Sequence, residues 1–210
     1  MKETVPSTSA PNISLKQELL RKSTHIGALV IPGGYYFLGL EQVTAFWILS
    51  CITLLMLVVD VSRLRNWWFW RVFGSRVFSH MLRKHEQDGD LTGASYILLT
   101  ASVSIALFSK PVAIAAISFI IVGDVAAALI GRKFGRTKIG NKTLEGSLGC
   151  LAATFLVAVF APGISLQVAL LGALVATLVE AWPMGVDDNV SVPLLSGLAM
   201  TMFIVLSSIN

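Results

Sequence analysis

Charge is scarce in this sequence: Asp, Glu, Lys and Arg together fill only 13% of its 210 positions, about half the share of an ordinary soluble domain. Hydrophobic residues take 55%. That balance excludes a soluble globular domain and points to an integral membrane protein. Cysteine is scarcer still. Cys51 and Cys150 both sit in apolar runs, at no metal-ligand spacing, so they read as small buried hydrophobes with no redox role. There is no nucleic-acid motif and no internal repeat. No small-x-small cleavage site follows the first apolar run, which argues against a signal peptide.

What the chain does have is long apolar runs. Seven approach the length needed to cross a bilayer: Ile26 to Leu40, Val43 to Val59, Ala94 to Ser109, Val112 to Ile130, Ser147 to Ala161, Leu166 to Trp182 and Val192 to Ser208. The expected fold class is therefore all-α, a polytopic membrane helix bundle of about seven transmembrane helices plus an interfacial amphipathic helix. Residues 1–14 read as a disordered cytoplasmic leader, polar and turn-rich, and residues 15–210 as a single multi-pass membrane catalytic domain.

Basic residues are retained on the cytoplasmic side of spans, and here they fall lopsidedly. Lys16, Arg21 and Lys22 precede the first run, Arg63 to Lys84 follow the second, and Arg132 to Lys142 follow the fourth. Lys110 alone lies on the other side of a seven-span topology. The N-terminus is thus expected in the cytoplasm and the C-terminus outside. The net charge of +4 then reflects residues facing lipid headgroups or bound phosphates, not nucleic acid. Between the second and third runs, NWWFWRVFGSRVFSHMLRKHE mixes Trp67, Trp68, Trp70 and Phe78 with Arg71 and Arg76. This composition suits a helix in the headgroup layer.

Three polar constellations share the cytoplasmic boundary. At the entry to the first run, ELLRKSTHIG places Glu18 and Lys22, and Arg21 and His25, at i,i+4 spacing, a polar stripe on one helix face. The second is GDVAAALIGRKFGRTKIGNKTLEG. Asp124 is a carboxylate in an apolar run, and such groups are functional candidates because burying one unpaired costs several kcal/mol. Ala127, Gly131 and Gly135 repeat small residues every fourth position, so close helix packing is the competing reading. The loop that follows carries Arg132, Lys133, Arg136, Lys138 and Lys142 among glycines, suited to binding polyphosphate, and Lys142 with Thr143 opens the next helix. The third constellation, EAWPMGVDDNVSVP, ends a span and sets Asp187, Asp188 and Asn189 in a row. Oxygen-bearing side chains beside a phosphate site suit Mg2+, and a solvated turn is the alternative.

Those stretches, with RKSTH before the first run and LTGASY at Leu91 to Tyr96, resemble the polyprenol kinase family: dolichol kinase, phytol kinase and CTP-dependent diacylglycerol kinase. The resemblance covers most of the chain after the leader. It implies phosphoryl transfer from a nucleoside triphosphate, CTP, to the hydroxyl of a polyprenol, diacylglycerol or similar lipid alcohol. By that resemblance Asp124, His25 and Lys22 are the candidate catalytic residues. Arg132, Lys133, Gly135, Lys138, Lys142, Thr143, Glu145 and Gly146 would bind the nucleotide; Asp124, Asp187 and Asp188 would hold Mg2+ or another divalent cation; Arg21 and Asn189 would meet phosphate or a lipid headgroup. Whether Asp124 acts as base or metal ligand stays open. The related phosphatidate cytidylyltransferases share the Asp-to-Glu-Gly stretch but carry a different C-terminal signature, which favours the kinase branch; a transporter is a third reading. No organelle transit segment is evident, so the expected home is a bacterial inner membrane.

Overall fold

The computed structural model describes residues 22–68, 70–74, 89–182 and 185–209. Residues 22–27 are helical and lead into α1, Val30–Phe37. Then come α2, Gln42–Leu64; a π-helical turn, Trp70–Gly74; α3, Gly93–Leu107; α4, Lys110–Phe134; a two-stranded hairpin, β1 Lys138–Ile139 and β2 Lys142–Thr143; α5, Leu144–Phe160; α6, Leu166–Ala181; and α7, Asp188–Ile209. Each expected apolar run thus contains one helix, and the protein is an all-α membrane bundle. Three of the helices, α2, α4 and α7, are long and apolar enough to cross a membrane, while α3, α5 and α6 are shorter apolar helices of 15 to 17 residues. A 16-residue helix is about 24 Å long, short of the ~30 Å hydrocarbon core. The leader, Arg21 and most of the stretch expected as an interfacial helix lie outside the described residues.

Local chemistry sets the helix starts. Pro111 occupies the first turn of α4, where its missing N–H costs nothing. The Thr92 side chain accepts from Ser95 N to cap α3, and Thr143 accepts from Gly146 N to cap α5. The hairpin pairs Lys138 with Thr143 and Ile139 with Lys142. Gly140 takes φ of 59° while Asn141 stays outside the positive-φ region, the backbone of a type II′ turn with glycine first.

The core forms around α4, which packs against α1, α3, α5, α6 and α7. Ala113, Ala116, Phe119 and Ile121 of this helix are fully buried. Ala169, Ala173 and Ala176 of α6 are buried with them, and small side chains there let the helices approach closely. The outer surface is apolar instead: on α2, Trp47, Leu54 and Leu55 are more than 60% exposed. Water would penalise such a surface and lipid does not. Polar cross-links sit between neighbouring helices, Thr53 with Ser102 at 3.0 Å and Thr154 with Thr177 at 3.2 Å.

The two ends of the bundle differ. At one end Lys110 donates to the Leu40 carbonyl at 2.8 Å and lies 4.7 Å from the Tyr35 ring centroid, while Gln42 donates to the Ile105 carbonyl at 2.7 Å. These close the turns α1–α2 and α3–α4. At the other end gather the C-terminal half of α4, the hairpin, the end of α6 and the start of α7.

Candidate active site

That second end holds a cavity of about 340 Å³ whose lining includes Lys22, Asp124, Arg132, Lys142, Glu180 and Asp188. Its floor is the close contact of α4 with α5. A Cβ on Gly146 would stand 2.9 Å from the Ala127 carbonyl oxygen, and one on Gly131 would stand 2.8 Å from Thr143 Oγ1. The small residues at four-residue spacing are therefore used for helix packing, as the competing sequence reading allowed. The packing and the polar site coexist on adjacent faces of α4, because Asp124 points into the cavity that this contact leaves beside it.

The Asp124 carboxylate is held from the N-terminal helix. Lys22, only 3% exposed, donates from Nζ to Asp124 Oδ2 at 2.6 Å and to the Asp124 backbone carbonyl at 3.1 Å. His25 Nε2 lies 3.3 Å from the same Oδ2. Sequence alone assigned all three residues to one boundary; the fold brings them into contact across 102 positions of chain. The paired charges remove most of the cost of placing a carboxylate at membrane depth.

A second ionic group faces it. Lys142, on β2, donates from Nζ to Glu180 Oε1 at 2.7 Å and to Asp188 Oδ2 at 2.8 Å, and also to the Glu180 backbone carbonyl. Burial works most strongly against its charge, but the hydrogen bonds it donates to Asp188 and Glu180 and their negative charges together outweigh it and raise the Lys142 pKa above its ordinary value. The ammonium ties the hairpin to the end of α6 and the start of α7. Glu180 Oε2 is buried and has no hydrogen-bond partner among the described residues.

The other expected residues distribute as follows. Arg132, Thr143 and Gly146 line the cavity with Lys142. Lys133 lies 5.1 Å from the Phe134 ring centroid, Gly135 ends α4, and Arg136 and Lys138 are exposed around the hairpin. Glu145 accepts from Thr137 N with both carboxylate oxygens, at 3.1 and 3.2 Å, and so fastens the loop to α5. Asp188 reaches the cavity but its neighbours do not. Asp187 Oδ1 accepts from Asn189 N at 2.8 Å and Asn189 Nδ2 at 2.7 Å, so Asp187 caps α7 and Asn189 is turned toward that cap. Among the described residues no three His, Cys, Asp or Glu side chains form a ready-made metal cage. The donors present are carboxylate oxygens, the hard ligands that Mg2+ takes, and Mg2+ needs only one or two of them when phosphates complete its shell.

Sequence reasoning passed over Glu180 and Asp60. The signal was available, because Glu180 is a carboxylate inside an apolar run, the property that singled out Asp124, and Asp60 directly follows one. Asp60 is 1% exposed, yet it is fully paired. Oδ1 accepts from Arg63 Nε at 3.2 Å; Oδ2 accepts from Thr92 N, Thr92 Oγ1 and Ser95 Oγ at 2.7 to 2.9 Å. Thus the LTGASY stretch joins the end of α2 to the start of α3 through a satisfied polar network.

No family model and no solved structure matches the chain. Curated proteins do. The chain is 29% identical over 213 residues to CTP-dependent diacylglycerol kinase 1 of Saccharomyces cerevisiae, covering 88% of this chain and 73% of that protein. It is 31% identical over 141 residues to probable phytol kinase 1, chloroplastic, of Glycine max, covering 54% of this chain and 46% of that protein. It is 34% identical over 139 residues to farnesol kinase, chloroplastic, of Arabidopsis thaliana, covering 57% and 45%. These similarities, to kinases whose names give diacylglycerol, phytol and farnesol as acceptors, support the resemblance of the chain to polyprenol and lipid-alcohol kinases.

Proposed function

We propose that this protein is a membrane lipid-alcohol kinase that transfers the terminal phosphoryl group of CTP to a lipid hydroxyl at the cytoplasmic face. The observation that carries the reading is the placement of the cavity. Asp124, Lys22, Lys142 and Arg132 line one space at the polar end of an apolar bundle, where a water-soluble nucleotide and a hydroxyl at headgroup depth are both within reach. The names of the relatives support the coarse activity, and the yeast relative's name supports CTP as donor.

Phosphoryl transfer asks a protein for positioning and charge neutralisation more than for covalent chemistry. Arg132 and Lys142 bring positive charge to the phosphates. Asp124, fixed by Lys22 and by His25, orients the acceptor hydroxyl and takes its proton as the oxygen bonds to the γ-phosphorus. The bond to the bridging oxygen breaks and CDP leaves. Asp188 would hold Mg2+ together with phosphate oxygens, with Asp124 across the cavity; the ion would neutralise charge between the β- and γ-phosphates. Asp187 is committed to capping α7.

Purified protein incubated with labelled CTP or ATP and a panel of diacylglycerol, polyprenol and phytol acceptors tests the proposal. The expected product is a phosphorylated lipid alcohol with release of CDP. A CDP-lipid with release of pyrophosphate would replace the kinase reading by the cytidylyltransferase one.

A further inference from the structure

The Lys142 ammonium bridges two carboxylates, Glu180 and Asp188, in the manner of a bound cation. It sits 2.7 Å from Glu180 Oε1 and 2.8 Å from Asp188 Oδ2. Glu180 is 5% exposed, lines the cavity, and has its second oxygen buried with no partner among the described residues. A buried carboxylate oxygen left without a donor keeps its desolvation cost uncompensated. One ammonium, with three donors, already serves Glu180 Oε1, the Glu180 carbonyl and Asp188. It has nothing left for Oε2. A divalent ion, by contrast, takes both oxygens of a carboxylate.

We propose that Glu180 and Asp188 form a divalent-cation site that Lys142 fills with its own ammonium until a divalent cation takes the carboxylates, which frees Lys142 to turn to the phosphates of a bound nucleotide. The inference rests on the reading of the cavity as a nucleotide site and adds Glu180 to it. The exchange improves the charge balance: two carboxylates and one ammonium leave one negative charge over, a divalent cation on the same carboxylates leaves none, and the released ammonium meets the phosphate oxygens. Lys142 stands on a hairpin joined by a glycine turn, so the ammonium moves without disturbing α6 or α7. Asp188 opens α7 beside the Asp187 cap, which fixes its backbone.

Mn2+ alone, without nucleotide or lipid, is the probe, so the result does not depend on whether phosphoryl transfer occurs. Lysine reacts with reductive-methylation reagents as the neutral amine, and release from two carboxylates speeds that reaction. In the wild-type protein, saturating Mn2+ is expected to raise methylation of Lys142, read by peptide mass spectrometry, and to leave it unchanged in Glu180→Gln. In Lys142→Met the competing ammonium is gone. If it fills the site in nine of ten wild-type molecules, Mn2+ affinity rises by about tenfold in an electron-paramagnetic-resonance titration. That gain should vanish when Glu180→Gln is added. Wild-type Lys142 methylation unmoved by Mn2+, or a folded Lys142→Met with wild-type Mn2+ affinity, overturns the exchange. Should Lys142→Met fail to fold, the wild-type methylation result decides alone. A missing lipid product in the transfer assay, with the Mn2+ results as expected, would count against the kinase reading and leave the cation site standing.

Discussion

At the scale of single residues, the site is defined by which charges neutralise which. Asp124 is 24% exposed and paired with a lysine that is 3% exposed, so its charge is held in place and not merely tolerated. Asp124→Asn separates the packing reading from the catalytic one, since an amide still donates and accepts hydrogen bonds. We expect the variant to insert but to melt below the wild type, because the buried Lys22 ammonium loses its counter-charge, and its lipid phosphorylation to fall by at least about a hundredfold, the scale of losing a general base or strong charge contact. Near wild-type turnover in a well-folded variant would return Asp124 to helix packing. Lys142 makes a different prediction. Its folded pKa lies above the ordinary 10.5, so the ammonium is charged in both folded and unfolded chains below that value, and its contribution to stability is complete there. The contribution is lost only as pH rises through the raised folded value. The melting-temperature difference between wild type and Lys142→Met should therefore stay flat across the neutral range and shrink only in strong base. A difference that titrates near neutrality would show that another group, not Lys142, governs the link.

Among elements, the contact of α4 with α5 decides where the hairpin and its lysine stand. Gly146 has the Ala127 carbonyl oxygen 2.9 Å from where a Cβ would be, and a helix backbone does not yield as a flexible side chain does. Replacing an interior helix glycine with alanine ordinarily gains about 1 kcal/mol of helix propensity. Overpacking a tight contact costs about 1–3 kcal/mol, so at Gly146 the loss wins. Gly146→Ala is expected to lower the melting temperature and, by moving Thr143 and Lys142, the activity as well. Gly33, in α1, has nothing within 4 Å of its would-be Cβ, and Gly33→Ala should be neutral or stabilising. Equal effects of the two substitutions would refute the close-packing account. The helices themselves were legible beforehand because long apolar runs bounded by charge have few alternatives in lipid. Their true ends were less so: α2 continues to Leu64 and α4 to Phe134, past the expected ends at Val59 and Ile130, and in α2 the added turn carries Asp60 and Arg63, which find partners at the bundle end.

For the molecule as a whole, the arrangement is a buried hub helix with an apolar exterior and ionic groups concentrated at one end. The Lys and Arg distribution sets the expected orientation of that end. Reporters fused within residues 132–142 should be cytoplasmic and a reporter after Asn210 extracytoplasmic. A basic loop found outside would overturn the site proposed here, since nucleotide would not reach it. A cytoplasmic C-terminus would instead revise the number of spans: α3, α5 and α6, at 15 to 17 residues, reach the full bilayer only with help from their flanks or a locally thinned membrane.

The class of solvent, the helices and the standing of Asp124 as a candidate were all legible in the sequence alone. Each follows from local composition: apolar length demands helices in lipid, and an ionisable group in an apolar run stands out against its own neighbours. Pairing was decided only by the tertiary structure. Lys22 meets Asp124 across 102 positions, Lys142 meets Glu180 across 38 and Asp188 across 46. In the row of Asp187, Asp188 and Asn189 the sequence offers three equivalent oxygen-bearing side chains. Helix geometry separates them, turning Asp187 and Asn189 to the cap of α7 and Asp188 to the cavity, because successive residues at a helix start point in different directions.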